Sequence, residues 1–479
     1  MNSGFIGLDI GTQGARAVLV DSKGQLVAKA KVDFELTENS RIEQSPQMWW
    51  DSTLKLLQNV ISEGAEFQKI NIKAISVTST SGTVIPLNDN REPLSDALMY
   101  SDPRSHEVGE ECKKIAKDHS MGYTGFNSSS GLSKMVWFCR KFPRKAEKIK
   151  HWVHAADFIT GKISGVWGVT DYTNALKSGY DLRKEQWPNY LFSTLELHRE
   201  WMPKVLPSGE ILGQMRSELA QNLGLKNRPF VTSGITDGCA SQIASGAIKP
   251  GDWNTTIGTT LVIKGVTRKE IIDPYGRFYS HKHPENYWMP GGASNTGADW
   301  VTESFNTDLE ALEEKAINYI PTSHLSYPLR QQGERFPFIA PNAKGFEPTD
   351  ISRAEHFVAN MEGVAFLEKY AYEVAEKLSL EKVNKVFSAG GGSLSESWLK
   401  IRSNVMDLPI YRMKWISGAF GAAVLAASQT HFTNLTEAGI NLINLDKEIF
   451  PENGLKLQYQ ERYQAFKEEL LRKNYITEN

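Results

Sequence analysis

The sequence predicts an α/β protein made of two related domains. Two hairpins carry glycine–threonine tips, Gly11-Thr12-Gln13-Gly14 early in the chain and Gly258-Thr259-Thr260 about 250 positions later. Each tip joins two short β-prone runs, which is typical of a tight hairpin. The 479 residues, 40% hydrophobic and 23% charged, suit two or three globular domains. We place the first domain at residues 1–244 and the second at 245–479, and expect the tail after about residue 430 to pack back on the first.

The first domain begins with three strands, a helix and a fourth strand. The opening hairpin is followed by a strand over residues 25–34. Ser45 and Pro46 then start an amphipathic helix, which Gly64 is expected to end. Residues 72–78 form the next strand. This order is that of the ribonuclease-H-like core of actin-type ATP-binding domains, so we expect two such domains with a central cleft.

Residues 100–228 are mixed and mostly helical, and we expect an insertion packed on the first domain. Within them Asp171-Tyr172-Thr173-Asn174-Ala175-Leu176 gathers polar groups beside a glycine turn at Gly179-Tyr180. A functional cluster and a capped helix start explain this pattern equally well.

Two aspartates stand at the ends of predicted strands. Asp9 directly precedes the first glycine tip, and Asp237 is the expected N-cap of a helix over residues 239–247. A carboxylate at the end of a buried strand needs partners, and it can orient the hydrated Mg²⁺ of a nucleotide. The alternatives are a solvent-facing Asp9 in an ordinary turn and an Asp237 that only caps its helix, a role worth about 1 kcal/mol.

The second domain contains a triple-glycine turn between a strand and a helix. A long amphipathic helix over residues 353–378 precedes a strand over 385–389, Gly390-Gly391-Gly392-Ser393 and a helix from about Ser395. Bare backbone at a helix start accommodates a flat base or a phosphate, although a lone triple glycine is more often a tight turn. It matches neither the Walker loop nor the dinucleotide pattern. Gly333-Glu334-Arg335-Phe336-Pro337 is expected to be a fixed turn between the domains.

Composition excludes several classes of partner. A net charge of −2 provides no basic field for nucleic acid or for an anionic membrane. Cys112, Cys139 and Cys239 are too scattered for a disulfide framework or a structural zinc site. The sequence has no 18-residue apolar run, and residues 5–10 are too short for a signal peptide. We therefore expect a cytoplasmic protein without membrane attachment, as a monomer or a homodimer.

Four stretches together resemble the FGGY family of carbohydrate kinases, in order and at family-like spacing over nearly the whole chain. They are Asp9-Ile10-Gly11-Thr12, Thr236-Asp237-Gly238, Gly258-Thr259-Thr260 and Ala389-Gly390-Gly391-Gly392. Within the family the sequence is similar to the plant and cyanobacterial sugar kinases regarded as D-ribulose kinases. The stretches that carry this likeness are Thr80-Ser81-Gly82-Thr83-Val84, Tyr172-x-Asn174-Ala175-Leu176-Lys177-x-Gly179-Tyr180, Tyr279-Ser280-His281-Lys282, Gly291-Gly292-Ala293-Ser294-Asn295 and residues 333–337.

The resemblance implies a role for each matching residue. Asp237 would be the catalytic base and a substrate contact, and Asp9 a carboxylate near both the sugar and the metal. Ser81 would contact the sugar. Asp102 and Arg104 lie in a stretch similar to the Trp-x-Asp-x-Arg of xylulose kinases, which implies substrate contacts and favours that other sugar. The implied ATP-binding residues are Gly11, Thr12, Gln13, Arg16, Gly258, Thr259, Thr260, Gly292, Gly390, Gly391, Gly392 and Ser395.

The implied activity is phosphorylation of a terminal hydroxyl of a ketopentose by ATP, with D-ribulose 5-phosphate as the product. ATP and Mg²⁺ are the implied cofactors, with the metal held through water by Asp9, Asp237 and the phosphates. Ser395 stands where the ribulose-kinase relatives tend to carry Asn. We expect the two domains to close on the sugar. The alternatives are kinases of D-xylulose, glycerol or another polyol, and a non-enzymatic ATP and sugar sensor. A dehydrogenase would need a nicotinamide fingerprint, which the sequence lacks.

Overall fold

The computed structural model describes residues 2–67, 70–119 and 122–477. Cα proximity divides the chain into two compact units. Unit 1 comprises Met1–Ala244, His281–Asn286 and Trp415–Ile443, and unit 2 comprises Ser245–Ser280, Tyr287–Lys414 and Asn444–Asn479. The chain therefore returns to unit 1 at residue 415, whereas the tail beyond residue 443 belongs to unit 2.

Strands and helices alternate in the first half of the described chain. The strands are β1 (Asn2–Gly11), β2 (Gly14–Asp21), β3 (Leu26–Asp33), β4 (Glu43–Gln44), β5 (Ile70–Ser79), β6 (Val84–Leu87), β7 (Ala97–Leu98), β8 (His151–His154), β9 (Val169–Asp171), β10 (Lys204–Leu206), β11 (Ile211–Gln214), β12 (Phe230–Thr232) and β13 (Ile235–Thr236). The helices are α1 (Glu38–Ile42), α2 (Pro46–Phe67), α3 (His106–His119), α4 (Gly131–Lys141), α5 (Pro143–Ala146), α6 (Ala155–Ser164), α7 (Tyr172–Leu176), α8 (Tyr190–Ser193), α9 (Ser217–Asn222) and α10 (Asp237–Ser245). Short 3-10 turns occur at Pro103–Ser105 and Arg199–Trp201.

The second half repeats the mixture. The strands are β14 (Asp252–Ile257), β15 (Leu261–Gly265), β16 (Tyr279–Lys282), β17 (Trp288–Ala293), β18 (Lys385–Ala389), β19 (Ile410–Met413) and β20 (Leu445–Ile449). The helices are α11 (Asp299–Ser304), α12 (Leu309–Ala316), α13 (Arg353–Ser379), α14 (Glu396–Met406), α15 (Gly418–Ser428), α16 (Leu435–Leu442) and α17 (Asn453–Arg472). Two 3-10 turns lie at Ile317–Tyr319 and Gly391–Ser393. Helices α15 and α16 belong to unit 1.

The main sheet of unit 1 has the strand order β11-β12-β5-β1-β2-β3, and β13 also pairs with β5. Strands β1, β2 and β3 are antiparallel neighbours, whereas β5 runs parallel to both β1 and β12. The predicted order of three strands, a helix and a strand is confirmed. Smaller sheets, β4-β7-β6-β8 and β9-β10, hold the remaining strands of this unit.

Two expectations for unit 1 need correction. Helix α2 runs to Phe67 instead of ending at Gly64. A Cβ at Gly64 would lie 2.5 Å from Leu19 Cδ2, so this glycine serves close packing on β2 and not helix termination. The insertion was expected to reach residue 228, but β11 (Ile211–Gln214) already pairs with β12 in the main sheet. The insertion therefore ends before β11.

Unit 2 is built on a second mixed sheet of order β17-β15-β14-β18-β19-β20, with β16 beyond β17. Strands β14 and β15 form the predicted second hairpin, and β18 runs parallel to β14. Helix α13 packs its buried face, including Phe357 and Phe366, into the same core as Tyr459 and Phe466 of α17. Residues 333–337 lie inside unit 2, so they are not a turn between domains.

None of the helices in the described residues combines the length and apolar character needed to cross a bilayer.

Candidate active site

The strand register of unit 1 brings Asp9 and Asp237 to the same edge of the main sheet. Asp9 on β1 is level with Thr78 of β5, and Thr78 is level with Ile235 of β13 on the other side. Asp237 follows β13 directly and begins α10. The two carboxylates thus flank the end of one buried strand, where open α/β sheets place their ligands.

Asp9 is held in a strongly perturbed environment. Its residue is only 9% exposed. Burial first, and the charge of Asp237 second, raise the pKa of the Asp9 carboxyl from 3.8 to about 6, while Arg16 acts in the opposite direction. Arg16 Nη1 lies 3.7 Å from Asp9 Oδ2 across the hairpin. A buried carboxyl whose pKa is raised by burial and by a neighbouring carboxylate is typical of a functional site.

Helix α15 packs closely on the two elements that carry these aspartates. A Cβ at Gly7 of β1 would lie 1.8 Å from the Ala419 carbonyl oxygen, and one at Gly421 would lie 1.9 Å from that of Ala240 in α10. A Cβ at Gly418 would lie 3.0 Å from Asp9 Oδ2. The glycines at this contact permit the close approach, and the helix begins directly against the Asp9 carboxylate.

Asp237 was expected to be the N-cap of the helix, but it is the first helical residue of α10. Its Oδ1 accepts from Gly238 N at 2.6 Å. The preceding amide, Thr236 N–H, donates to Thr173 Oγ1 at 2.8 Å. The Thr173 hydroxyl in turn donates to Asp171 Oδ1 at 2.6 Å. Asp171 is fully buried and caps α7. The polar stretch at residues 171–176 is therefore a helix cap that also supports Asp237.

Two hydroxyls near this sheet edge have the character of ligand contacts. Thr78 Oγ1 and Ser81 Oγ are buried and have no hydrogen-bond partner within the described part of the chain. A buried hydroxyl without a partner costs free energy, and the hydroxyls of a bound polyol would relieve that cost. Ser81 is one of the predicted substrate contacts, whereas Thr78 was missed because its strand position suggested packing alone.

Asp102 and Arg104 form a tight pair in unit 1. Arg104 Nε donates to Asp102 Oδ1 at 2.9 Å, and Arg104 Nη2 donates to Asp102 Oδ2 at 2.8 Å. Asp102 is only 1% exposed, and the guanidinium lies 4.6 Å from the centre of the Trp137 ring. Both oxygens of Asp102 are thus occupied by Arg104, and Arg104 is the partly exposed member of this predicted substrate-binding pair.

The first glycine tip is a two-residue turn anchored through its carbonyls. Gln13 O accepts from Phe34 N at 3.0 Å. Thr12 O accepts from Gln44 Nε2 at 2.9 Å, and the buried Gln44 is itself fixed by Trp49 Nε1. These hydrogen bonds fix the turn in place, while Gln13 is exposed at its tip. Gln44 has no sequence signature, because its partner lies 32 positions away.

The second glycine tip and the triple-glycine turn are neighbours at one edge of the unit 2 sheet. Thr256 of β14 is level with Ala389 of β18, so both strands reach their turns together. Gly390 has φ +80°, and a Cβ on it would lie 2.4 Å from the Ile257 carbonyl oxygen. A Cβ at Gly258 or at Gly391 would meet no atom within 4 Å. Open space over bare backbone at two adjacent turns fits a nucleotide.

The start of α14 decides between a base and a phosphate at the triple glycine. Glu313 Oε1 accepts from Ser397 N at 3.0 Å, and Ser395 Oγ donates to the same carboxylate at 2.8 Å. A protein carboxylate therefore already occupies the helix N-terminus that would attract an anion. This arrangement disfavours a phosphate there and leaves the exposed Gly390-Gly391 backbone for a neutral base.

Two predicted ATP-binding residues have structural tasks. Gly292 lies inside β17, level with Ile263, and a Cβ on it would lie 2.2 Å from the Phe336 ring. The Phe336 side chain fills the space over this glycine, so close packing is sufficient to explain it. Ser395 caps α14 by accepting from Trp398 N at 3.0 Å, so its hydroxyl is already engaged by the helix and by Glu313.

The comparisons with known proteins agree on one family. The model of the FGGY family of carbohydrate kinases, N-terminal domain, matches residues 5–244, and that of the C-terminal domain matches residues 253–430. A gluconokinase of Bacillus licheniformis is 25% identical over 457 residues, covering 90% of this chain and 88% of the relative. A xylulose kinase of Bacillus subtilis is 24% identical over 483 residues, covering 96% and 95%.

Solved structures of similar fold match this chain over nearly its whole length. A xylulose kinase from Rhodospirillum rubrum superposes with a TM-score of 0.84 at 23% identity and covers 98% of each chain. A glycerol kinase from Plasmodium falciparum with ADP superposes with a TM-score of 0.83 at 17% identity, covering 100% of this chain and 99% of the other. At these identities the likeness establishes the fold, and the predicted two-domain α/β class is confirmed.

Proposed function

The chain belongs to the FGGY family of carbohydrate kinases, and from that premise we propose that it phosphorylates the terminal hydroxyl of D-ribulose to give D-ribulose 5-phosphate. ATP is the phosphate donor, as for the family. The observation that carries the proposal is the pair Asp9 and Asp237 at one sheet edge, beside two buried hydroxyls that have no hydrogen-bond partner among the described residues. We place the reaction in the cytoplasm, where ATP is available.

In the proposed reaction Asp237 accepts the proton of the attacking hydroxyl. The new bond forms between that oxygen and the γ-phosphorus of ATP, the bond from the γ-phosphorus to the bridging oxygen breaks, and ADP leaves. The transition state is loose, so the protein contributes mainly positioning and charge stabilisation. The first turn of α10 favours an ionised Asp237, which is the form a base requires.

The residues also fit a divalent cation brought by the nucleotide. Mg²⁺ prefers carboxylate oxygens and bound water, and Asp9 and Asp237 supply two negative charges close enough to raise the pKa of Asp9. Bound Mg²⁺ would neutralise charge on the phosphate oxygens, and we propose that these two aspartates hold it through water.

A neutral sugar suits this site better than a sugar acid. Burial first, and the charge of Asp237 second, already raise the pKa of Asp9, and a gluconate carboxylate would add a third negative charge. A ketopentose would add hydroxyls, which the orphaned Thr78 and Ser81 side chains can bind. The charges and hydroxyls of this site therefore favour a ketose over the substrate named for the gluconokinase relative.

D-xylulose is the second candidate. It is favoured by the turn that carries Asp102 and Arg104 and by the name of the relative from Bacillus subtilis. D-ribulose is favoured by the likeness at residues 80–84, 172–180 and 279–282. A panel of D-ribulose, D-xylulose, L-ribulose, glycerol and gluconate, assayed for sugar-dependent ADP release from MgATP, separates them. The proposal expects the highest kcat/KM with D-ribulose, and a clear preference for another sugar would overturn it.

We expect kcat/KM for the sugar to fall on the acid side with an apparent pKa of about 6. Burial and the Asp237 charge raise the pKa of Asp9 to about 6, so the folded enzyme carries a neutral Asp9 below that pH. If the ionised carboxylate is the active form, kcat/KM measured with MgATP well below its KM rises as the pH increases through about 6, because that constant reports groups of the free enzyme. The measurement is kcat/KM between about pH 5 and about pH 8.

Two variants control this pH profile. Arg16→Gln should move the acid limb to higher pH, because the Arg16 charge lowers the pKa of Asp9. Asp9→Asn should lose the limb together with most of the activity. An acid limb that persists unchanged in Asp9→Asn would show that another group titrates.

We expect Gly391→Ala to raise KM for ATP severalfold without lowering the melting temperature. The added methyl meets no protein atom within 4 Å, so it enters only the space that we assign to the nucleotide. Gly454→Ala in α17 is the matched control, because its methyl also meets nothing within 4 Å. Equal KM values for ATP in the two variants would argue against a nucleotide at the triple glycine.

A further inference from the structure

Glu334 is a buried carboxylate that the proposed chemistry does not use. Its residue is 2% exposed, at the turn of residues 333–337 in unit 2. Six donors converge on it. Oε1 accepts from the backbone amides of Asn295 at 2.8 Å, Arg335 at 2.9 Å and Phe336 at 3.4 Å, and Oε2 accepts from Ser294 Oγ at 2.7 Å, Thr296 Oγ1 at 3.0 Å and Tyr327 Oη at 2.9 Å.

Half of these donors belong to one loop. Ser294, Asn295 and Thr296 lie between β17 and α11, and we call residues 294–298 the support loop. Asn295 Nδ2 also donates to the Gly333 carbonyl at 2.9 Å. The loop is thus attached to the Glu334 turn by three hydrogen bonds to the carboxylate and one to the backbone.

The support loop is in turn attached to the second glycine tip. Ala298 N donates to Gly258 O at 2.7 Å, and Leu261 N donates to Thr296 O at 2.9 Å. A Cβ at Gly297 would lie 2.5 Å from Thr259 O, so the loop backbone rests directly on the tip. Glu334 and the tip therefore both contact the support loop.

We propose that Glu334 is the positioning residue of the ATP-binding tip at residues 258–260, acting through the support loop. This assignment rests on the proposed function, in which that tip binds the phosphates of ATP. One carboxylate fixes two backbone amides and three hydroxyls at distances below 3.1 Å. Such a group sets the tip amides in place before the nucleotide arrives, and that preorganisation lowers the cost of binding.

The chemistry of the six donors distinguishes two substitutions. In Glu334→Gln the amide oxygen can take the place of Oε1 and accept from the three backbone amides. The amide nitrogen then offers two N–H donors to the three hydroxyls, so at most two of them can rotate to accept. Glu334→Ala leaves all six donors without an acceptor. Gln is therefore expected to rescue what Ala removes.

The test is a comparison of steady-state constants for the full-length enzyme with ATP and its best sugar. We expect Glu334→Ala to raise KM for ATP by about tenfold or more, to leave KM for the sugar within about twofold, and Glu334→Gln to restore most of the ATP affinity. Glu362→Ala is the matched control. Glu362 is also fully buried in unit 2 and accepts from Thr322, Tyr459 and Arg462, but these contacts do not involve the support loop. It should lower the melting temperature without changing KM for ATP.

Further variants separate the possible failures. Gly258→Ala places a methyl in open space over the tip itself. If Gly258→Ala raises KM for ATP and Glu334→Ala does not, the role of Glu334 is overturned. If neither changes it, the tip is not a phosphate site and the proposed function of this turn fails. Should Glu334→Ala not fold, Thr296→Val removes one of the six donors at nearly constant volume. It is expected to raise KM for ATP by a smaller factor, and an unchanged KM would overturn the assignment.

Discussion

Replacing Asp237 by Asn is expected to lower kcat by about 10²–10⁴ while the protein remains folded. The amide cannot accept the proton of the attacking hydroxyl, and it removes one of the two negative charges at the sheet edge. Asn keeps an oxygen for the Gly238 amide, which Asp237 now binds at 2.6 Å. Steady-state kinetics with the preferred sugar measure the loss, and the thermal transition monitors the fold.

Asp21→Asn is the control for this experiment. Asp21 is a buried aspartate of unit 1 whose Oδ1 accepts from the backbone amides of Lys23 and Gln25 in the β2–β3 turn. The same chemical change there should leave kcat unaltered. Near-wild-type turnover by Asp237→Asn would refute the assignment of this residue as the base.

Removing Arg402 is expected to destabilise unit 2 by about 3–5 kcal/mol. Arg402 and Glu368 are both fully buried and paired, with Nε to Oε2 at 2.7 Å. Glu368 also accepts from Thr255 of β14, and Arg402 donates to Ser388 of β18. Arg402→Ala therefore leaves the buried Glu368 carboxylate without its cation, next to the two strands that end in the glycine turns. Urea unfolding followed by tryptophan fluorescence measures the change.

Arg353→Ala provides the comparison. Arg353 pairs with Asp308 at the surface of the same unit, and the side chains are 48% and 37% exposed. An exposed pair of this kind contributes about 0–1 kcal/mol. Equal destabilisation by the two variants would mean that the buried pair does not hold the strands together.

Local sequence signals predicted much of the fold. Residues 385–389 were predicted as a strand and form β18, because an apolar run bounded by a triple glycine leaves few alternatives. Ser417 precedes an apolar run in the sequence and caps α15, where its side chain accepts from Phe420 N. Gly64 was wrongly predicted to end its helix. It instead makes room for the Leu19 side chain, and no local sequence pattern reveals this contact.

The candidate site was predictable only in part. The glycine tips and the two aspartates stand at strand ends, which a single sequence reveals. The residues that hold these groups in place could not be predicted from the sequence. Gln44, Thr173 and Glu313 form hydrogen bonds with groups 32, 63 and 82 positions away. A lone polar residue in a loop carries no sign of such a partner. Gly292 shows the reverse case, since its place in a glycine-rich run gave no sign of its contact with the Phe336 ring.

The most direct test of phosphoryl transfer to a sugar is ³¹P NMR of the wild-type enzyme with MgATP and D-ribulose, or D-xylulose in a parallel tube. We predict a new phosphomonoester resonance that grows in step with ADP and is absent without sugar. ADP accompanied only by inorganic phosphate, or no ADP with any ketose, would contradict the account.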